Sequence, residues 1–161
     1  MSFQIIRTQS PIHFEICASY MAQSQPWISL QMDYQQCLQS FEGDFREVYI
    51  LMTVDRIQGF VIIQPKGTFK GYIQTLCVAP NNTGKGYGTE LLKFCENYIS
   101  KFSPNLFICV SDFNKLALTL YLKFGFEVVG ELNDFVKEGF TEILLRKTKG
   151  PIVGYINNII K

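Results

Sequence analysis

One segment, Ala79-Pro80-Asn81-Asn82-Thr83-Gly84-Lys85-Gly86-Tyr87-Gly88, constrains this chain more than any other, because it joins an extended run to a helical one through closely spaced glycines. Upstream, residues 72–78 read as a strand. Downstream, Tyr87, Leu91, Cys95, Tyr98 and Phe102 fall on one helical face, and Glu90, Lys93, Glu96 and Asn97 on another. Residues 105–110 form a near-continuous apolar run, which suits a strand covered on both faces. A strand–helix–strand crossover makes its two strands parallel wherever they are neighbours in one sheet. Around this unit, 3–8 reads as an opening strand, and 12–24 and 31–42 as helices parted at Pro26. Residues 48–54 and 57–63 read as an antiparallel hairpin across Asp55-Arg56. A second helix over 114–124 is stopped by Gly125, and 126–130 and 141–147 form a last pair of strands.

The expected product is an α+β domain over residues 1–147 with a tail over 148–161. An apolar share of 47% excludes a disordered or fibrous chain. With 15 basic against 14 acidic groups, the chain lacks the charge of a nucleic-acid binder or a polybasic membrane anchor. No apolar run reaches bilayer-spanning length, and the first ten residues do not read as a signal peptide. Five widely spaced cysteines without a CxxC pair, and the single histidine His13, read as free thiols in a reducing cytoplasm with no metal site. The Ile- and Val-rich tail is suited to packing on the body or on a second subunit, as in a homodimer.

A helix N-terminus presents unpaired N–H groups and the positive end of the helix dipole, and glycines let a backbone approach an anion closely. The loop therefore reads as a phosphate cradle, although a turn without a ligand fits the same spacing. Two nucleotide motifs fail. The dinucleotide fingerprint needs glycine where Thr89 stands, and the P-loop needs glycine at Ala79 and Ser or Thr at Gly86.

The residues that remain resemble the GNAT superfamily of N-acetyltransferases. The resemblance lies in Val78-Ala79-Pro80, Thr83-Gly84-Lys85-Gly86-Tyr87-Gly88 and Leu91-Leu92, then Ser111-Asp112-Phe113-Asn114, Leu120-Tyr121 and Gly125-Phe126. It implies a mixed, mostly antiparallel sheet of about seven strands with a central splayed parallel pair, flanked by about four helices. It further implies acetyl-CoA as cosubstrate and a primary amine, on a small molecule or a peptide, as acceptor. Backbone groups of Cys77 and Val78 would pair with the pantetheine arm, and the amides from Gly84 to Thr89, including Lys85, Gly86, Tyr87 and Gly88, would hold the pyrophosphate. Asn114 would meet the pantetheine, and Tyr121 would face the thioester sulfur. Thr83 stands where the family has Gln or Arg, which predicts weaker cofactor affinity and more reliance on Lys85.

Transfer to an amine needs a deprotonated nitrogen, a polarised carbonyl and a proton for the leaving thiolate. The Val78 amide is the candidate for the carbonyl, and Tyr121 for the proton. Tyr121 also fits a plain core position beside Ala117, Leu120 and Phe124, and Asn114 also fits as a helix N-cap. Cys77 and Cys109 read as apolar filler. The base is unassigned: Gln74 cannot take a proton, Asp112 reads as a loop acid, and the face on which Glu142 lies is open. A water chain or an amine arriving neutral serves equally. Without a base, an acyl-CoA-binding sensor is the alternative. The family's acceptor side would place Trp27, Tyr34 and Gln74 on one wall and 131–140 on another, where Glu131, Asp134 and Glu138 would favour a cation.

Overall fold

A computed structural model describes residues 2–155. Its strands are β1 (Gln4–Thr8), β2 (Glu47–Met52), β3 (Ile57–Gln64), β4 (Tyr72–Val78), β5 (Asn105–Ser111), β6 (Glu127–Asn133) and β7 (Thr141–Thr148). Its helices are α1 (Pro11–Ala22), α2 (Tyr34–Gln39), α3 (Tyr87–Ile99) and α4 (Lys115–Phe124). The strands form one sheet in the order β1-β2-β3-β4-β5-β7-β6, antiparallel throughout except at β4 and β5. This is the mixed sheet with a central parallel pair that the sequence implies.

The parallel pair is joined at one end only, Tyr72 facing Phe107 and Ile73 facing Ile108. Beyond Ile73 the strands part, and a bulge at that point explains how. On the β3 side Ile62 faces Thr75 while Ile63 faces Ile73, so Gln74 is an extra residue in β4. Gln74 is held there by its own amide, which donates to the Ser40 carbonyl at 3.0 Å and accepts from Gln64 Nε2 at 2.8 Å.

The closed end depends on a glycine. Gly71 donates its N–H to Gln64 O at 3.1 Å and accepts from the Phe107 amide at 3.1 Å, at φ +93°. A Cβ there would lie 2.3 Å from Asn105 O and 2.8 Å from Ile99 Cγ2, both in the packed interior. We expect Gly71→Ala to lose about 2 kcal/mol, read as a shift in the urea midpoint, from backbone strain and overpacking together.

Each sheet face carries its own core. On one face α1 and α2 cover Ile50, Phe60, Ile62 and Cys77; on the other α3 and α4 cover Leu51, Val61, Ile73 and Leu145. Tyr87, Leu91 and Cys95 sit in the second core as their spacing predicts, but α3 ends at Ile99, before Phe102. The segment expected as a helix over 31–42 keeps only α2. Gln31 takes a positive φ of +57°, and an Asp33–Gln36 capping box starts the helix at Tyr34. Past β7, Lys149 N donates to Pro104 O at 2.9 Å and Tyr155 Oη to Ser100 O at 2.6 Å, so this part of the tail packs on the body. Residues 156–161 of the expected tail lie outside the described residues.

Candidate active site

The parted strands open a cleft of ≈ 1140 Å³. Its walls are the open edges of β4 and β5, the start of α3, one face of α4, the 23–32 segment and the β6–β7 turn. On β4 the Ala79 amide donates to Gln58 O at 2.8 Å, and the Cys77 carbonyl lies beside Gly59 of β3. Strand alternation then turns the backbone groups of Leu76 and Val78 toward the cleft. The expectation of paired backbone groups at Cys77 and Val78 is corrected accordingly: Val78 faces the open side, while Cys77 is engaged with β3.

The glycine loop forms the next stretch of wall. Gly84 (φ +82°) and Gly86 (φ +87°) take left-handed conformations with open space where a Cβ would stand. Glycine is required here by the backbone angle rather than by crowding. Gly86 caps α3 without a side chain, and the first helical bond is from Glu90 N to Gly86 O, so the amides of Gly88 and Thr89 precede the helical ladder. Gly88 has a steric reason of its own, since a Cβ would sit 3.1 Å from Leu120 Cδ2 of α4. Thr83, Gly84, Gly86, Gly88 and Thr89 line the cleft. Lys85 does not; it is exposed and donates to Asn82 Oδ1 at 2.8 Å, and Tyr87 is buried in the core. A concave backbone with donors at a helix start fits an anionic ligand such as a pyrophosphate.

Asn114 lines the cleft as N-cap of α4, but its side chain makes no capping bond. The side-chain cap expected of it is thus not formed. Tyr121 also lines the cleft, 6% exposed, with its ring edge-on to Phe126 at 6.0 Å. Among the described residues its hydroxyl has no hydrogen-bond partner. Burial, with the thiols of Cys77 and Cys95 nearby, raises its pKa, so the phenol keeps its proton.

The carboxylate that sequence reasoning left unassigned is in the cleft. Glu142 is 6% exposed and faces Ser111 across the β5–β7 ladder, whose Oγ donates to Glu142 Oε2 at 2.6 Å. Among the described residues Oε1 has no partner. Burial raises its pKa, Asp112 raises it further, and the Ser111 hydroxyl opposes both. Alternation along β7 held a partial signal, because Ile143 and Leu145 join the α3–α4 core and thereby turn Glu142 to the other face.

Trp27 and Gln74 line the cleft, as do Tyr72 and Cys109, which lie close enough to Glu142 to feel its charge and with it mark the half called the acceptor half below. Tyr34 does not reach it. As the first residue of α2 it packs against the α1–α2 core instead. Nor do Glu131, Asp134 and Glu138 line it; Asp134 Oδ1 accepts the Gly139 amide at 2.7 Å and shapes its own turn. The Cys77 thiol is pushed up to about 12 by burial, and burial also raises Cys109, so both stay protonated and poor nucleophiles.

Several solved structures share this fold. A GNAT-family protein from Desulfovibrio desulfuricans superposes with a TM-score of 0.74 at 18% identity, over 91% of this chain and 99% of that one. An aminoglycoside 6'-N-acetyltransferase complexed with coenzyme A gives 0.72 at 16%, over 94% and 98%. The ribosomal-protein-S18-alanine N-acetyltransferase from Escherichia coli gives 0.69 at 17%, over 96% and 100%. No curated protein matches the sequence. The family model described as "Acetyltransferase (GNAT) family" matches residues 13–126, from α1 to the residue before β6, and the chain therefore belongs to the GNAT acetyltransferase family.

Proposed function

We propose that this protein is an acetyl-CoA-dependent N-acetyltransferase that acts on a primary amine by direct transfer within a ternary complex. The observation that carries this reading is one continuous cleft lined by the glycine loop, the open β4 edge, Tyr121 and Glu142. Acetyl-CoA would supply an activated acetyl group as a thioester. The amides of Gly88 and Thr89 would hold its pyrophosphate, Leu76 and Val78 its pantetheine arm in the manner of an added strand, and Asn114 would lie beside that arm.

The remaining work falls to side chains of this chain. Glu142 takes a proton from the acceptor nitrogen, directly or through a water, and its raised pKa makes it a stronger base than an ordinary carboxylate. As the nitrogen–carbon bond forms, the Val78 N–H stabilises charge on the carbonyl oxygen. As the carbon–sulfur bond breaks, the Tyr121 hydroxyl donates to the departing sulfur. An acyl-CoA sensor without a base is the alternative, and the presence of Glu142 in the cleft favours the transferase.

Calorimetric titration tests the cofactor half of this reading. Acetyl-CoA is expected to bind saturably in the micromolar range, while NAD and ATP at equal concentration give no heat beyond dilution. No binding of acetyl-CoA overturns it.

A further inference from the structure

Beyond the reacting atoms, the acceptor half of the cleft carries a specific balance of charge and apolar surface. Among the described residues lining the cleft, the only carboxyl is Glu142 and the only cation is Lys123, which belongs to the α4 wall. The other described residues of the acceptor half are neutral, and Trp27, Met32, Tyr72, Phe135 and Val136 give it apolar surface. Phe135 and Val136 are 58% and 49% exposed although their turn is well built, so apolar area is left uncovered at the rim. Glu142 Oε1, buried and without a partner among the described residues, is the one strong acceptor in this half for a cation.

An ammonium placed there satisfies Oε1. A second ammonium on the same molecule would lose water with no carboxylate to meet it, and a burial of that kind is costly. A carboxylate on the acceptor would be repelled by Glu142, and the lysine nearest this half among the described residues, Lys137, is already engaged with Leu30 O and Gln31 Oε1. Shape adds a further restriction. Lys137 Nζ donates to Leu30 O at 2.7 Å and to Gln31 Oε1 at 3.3 Å, which ties the β6–β7 turn to the 28–31 turn. Phe140 anchors the same turn edge-on to Phe113 at 6.0 Å. Two loops joined in this way fix the apolar rim of Phe135 and Val136 beside the 28–31 turn.

We infer that the acceptor is a small primary monoamine with an apolar, aromatic body and no carboxylate, a class that rests on the transfer reading above. Trp27, the only tryptophan of the chain, lines this half and reports occupancy without turnover. The probes are 2-phenylethylamine, phenylalanine (the same body with a carboxylate), spermidine (added ammonium groups) and a short peptide with a free N-terminus. Each is titrated against Trp27 fluorescence and then assayed for acetyl-CoA-dependent transfer. The expected result is a saturable fluorescence change with 2-phenylethylamine, and a kcat/KM at least about tenfold above each of the other three. A stronger response and faster transfer with spermidine, phenylalanine or the peptide overturns the acceptor class and leaves the transferase standing. A Trp27 response to 2-phenylethylamine without transfer supports the ligand class and overturns the transferase. Silence in both assays with every probe overturns both.

Discussion

Glu142→Gln is expected to lower kcat roughly 10²- to 10³-fold while leaving the protein at least as stable as before. The two halves of this result come from one fact, the burial of a carboxyl with a single hydrogen bond from Ser111. The folded pKa of Glu142 lies above its ordinary value, so the folded state holds the proton to a higher pH than the unfolded chain does. Stability therefore falls as pH rises from the unfolded pKa through the folded one, and it levels off above that. Glutamine removes this slope, and above the folded pKa it exchanges a buried charge for a neutral amide that still accepts from Ser111. The catalytic half has the opposite sign. The base form exists only above the raised pKa, so kcat/KM of the unsubstituted protein rises with pH through that ionisation, and the variant lacks this limb. Rate–pH profiles together with thermal melts across the same range decide the matter. A variant that keeps its rate within threefold would remove Glu142 from the reaction and return the base to water.

The fold was legible because its central pattern is local. An extended run, a glycine loop, an amphipathic helix and a second apolar run are all periodic in sequence, and the loop's backbone angles require the glycines that mark it. What the sequence hid depends on through-space pairing. The bulge at Gln74 that parts β4 from β5 is invisible in a strand of otherwise regular alternation, and only the register with β3 reveals it. Glu142 was hidden for a related reason. Alternation assigns it to the face opposite Leu145, but only the order β5-β7-β6 brings that face to the end of β5 where the cleft opens. Lys85 misled in the other direction, since its place between two glycines marks it as a ligand contact, while an exposed lysine beside Asn82 satisfies itself locally. Tyr34 misled similarly: it lies within the Asp33–Gln36 capping box of a short helix whose apolar side turns inward to α1.

Tyr121→Phe is expected to lower kcat roughly 10²-fold, with acetyl-CoA affinity changed by less than about threefold. The magnitude follows from what a buried phenol can offer. Because burial raises its pKa, full proton transfer to a thiolate is uphill, and the hydroxyl acts chiefly through a hydrogen bond to the charge developing on sulfur. A hydrogen bond to a charged group contributes about 1.5–3 kcal/mol, which corresponds to about ten- to a hundredfold in rate, and a dry site favours the upper end. A purely structural role predicts something different. The ring packs against Phe126 and lies in the α3–α4 core, and phenylalanine preserves both contacts. Removing a buried hydroxyl that has no partner among the described residues should then leave the melting temperature unchanged or slightly higher. The discriminating experiment measures three quantities on one preparation: melting temperature, acetyl-CoA affinity and single-turnover rate. A rate that falls while the other two hold assigns the hydroxyl to the departing sulfur. A rate preserved within threefold would mean that water receives the thiolate, and the unpartnered hydroxyl would then be only a feature of the packing around α4.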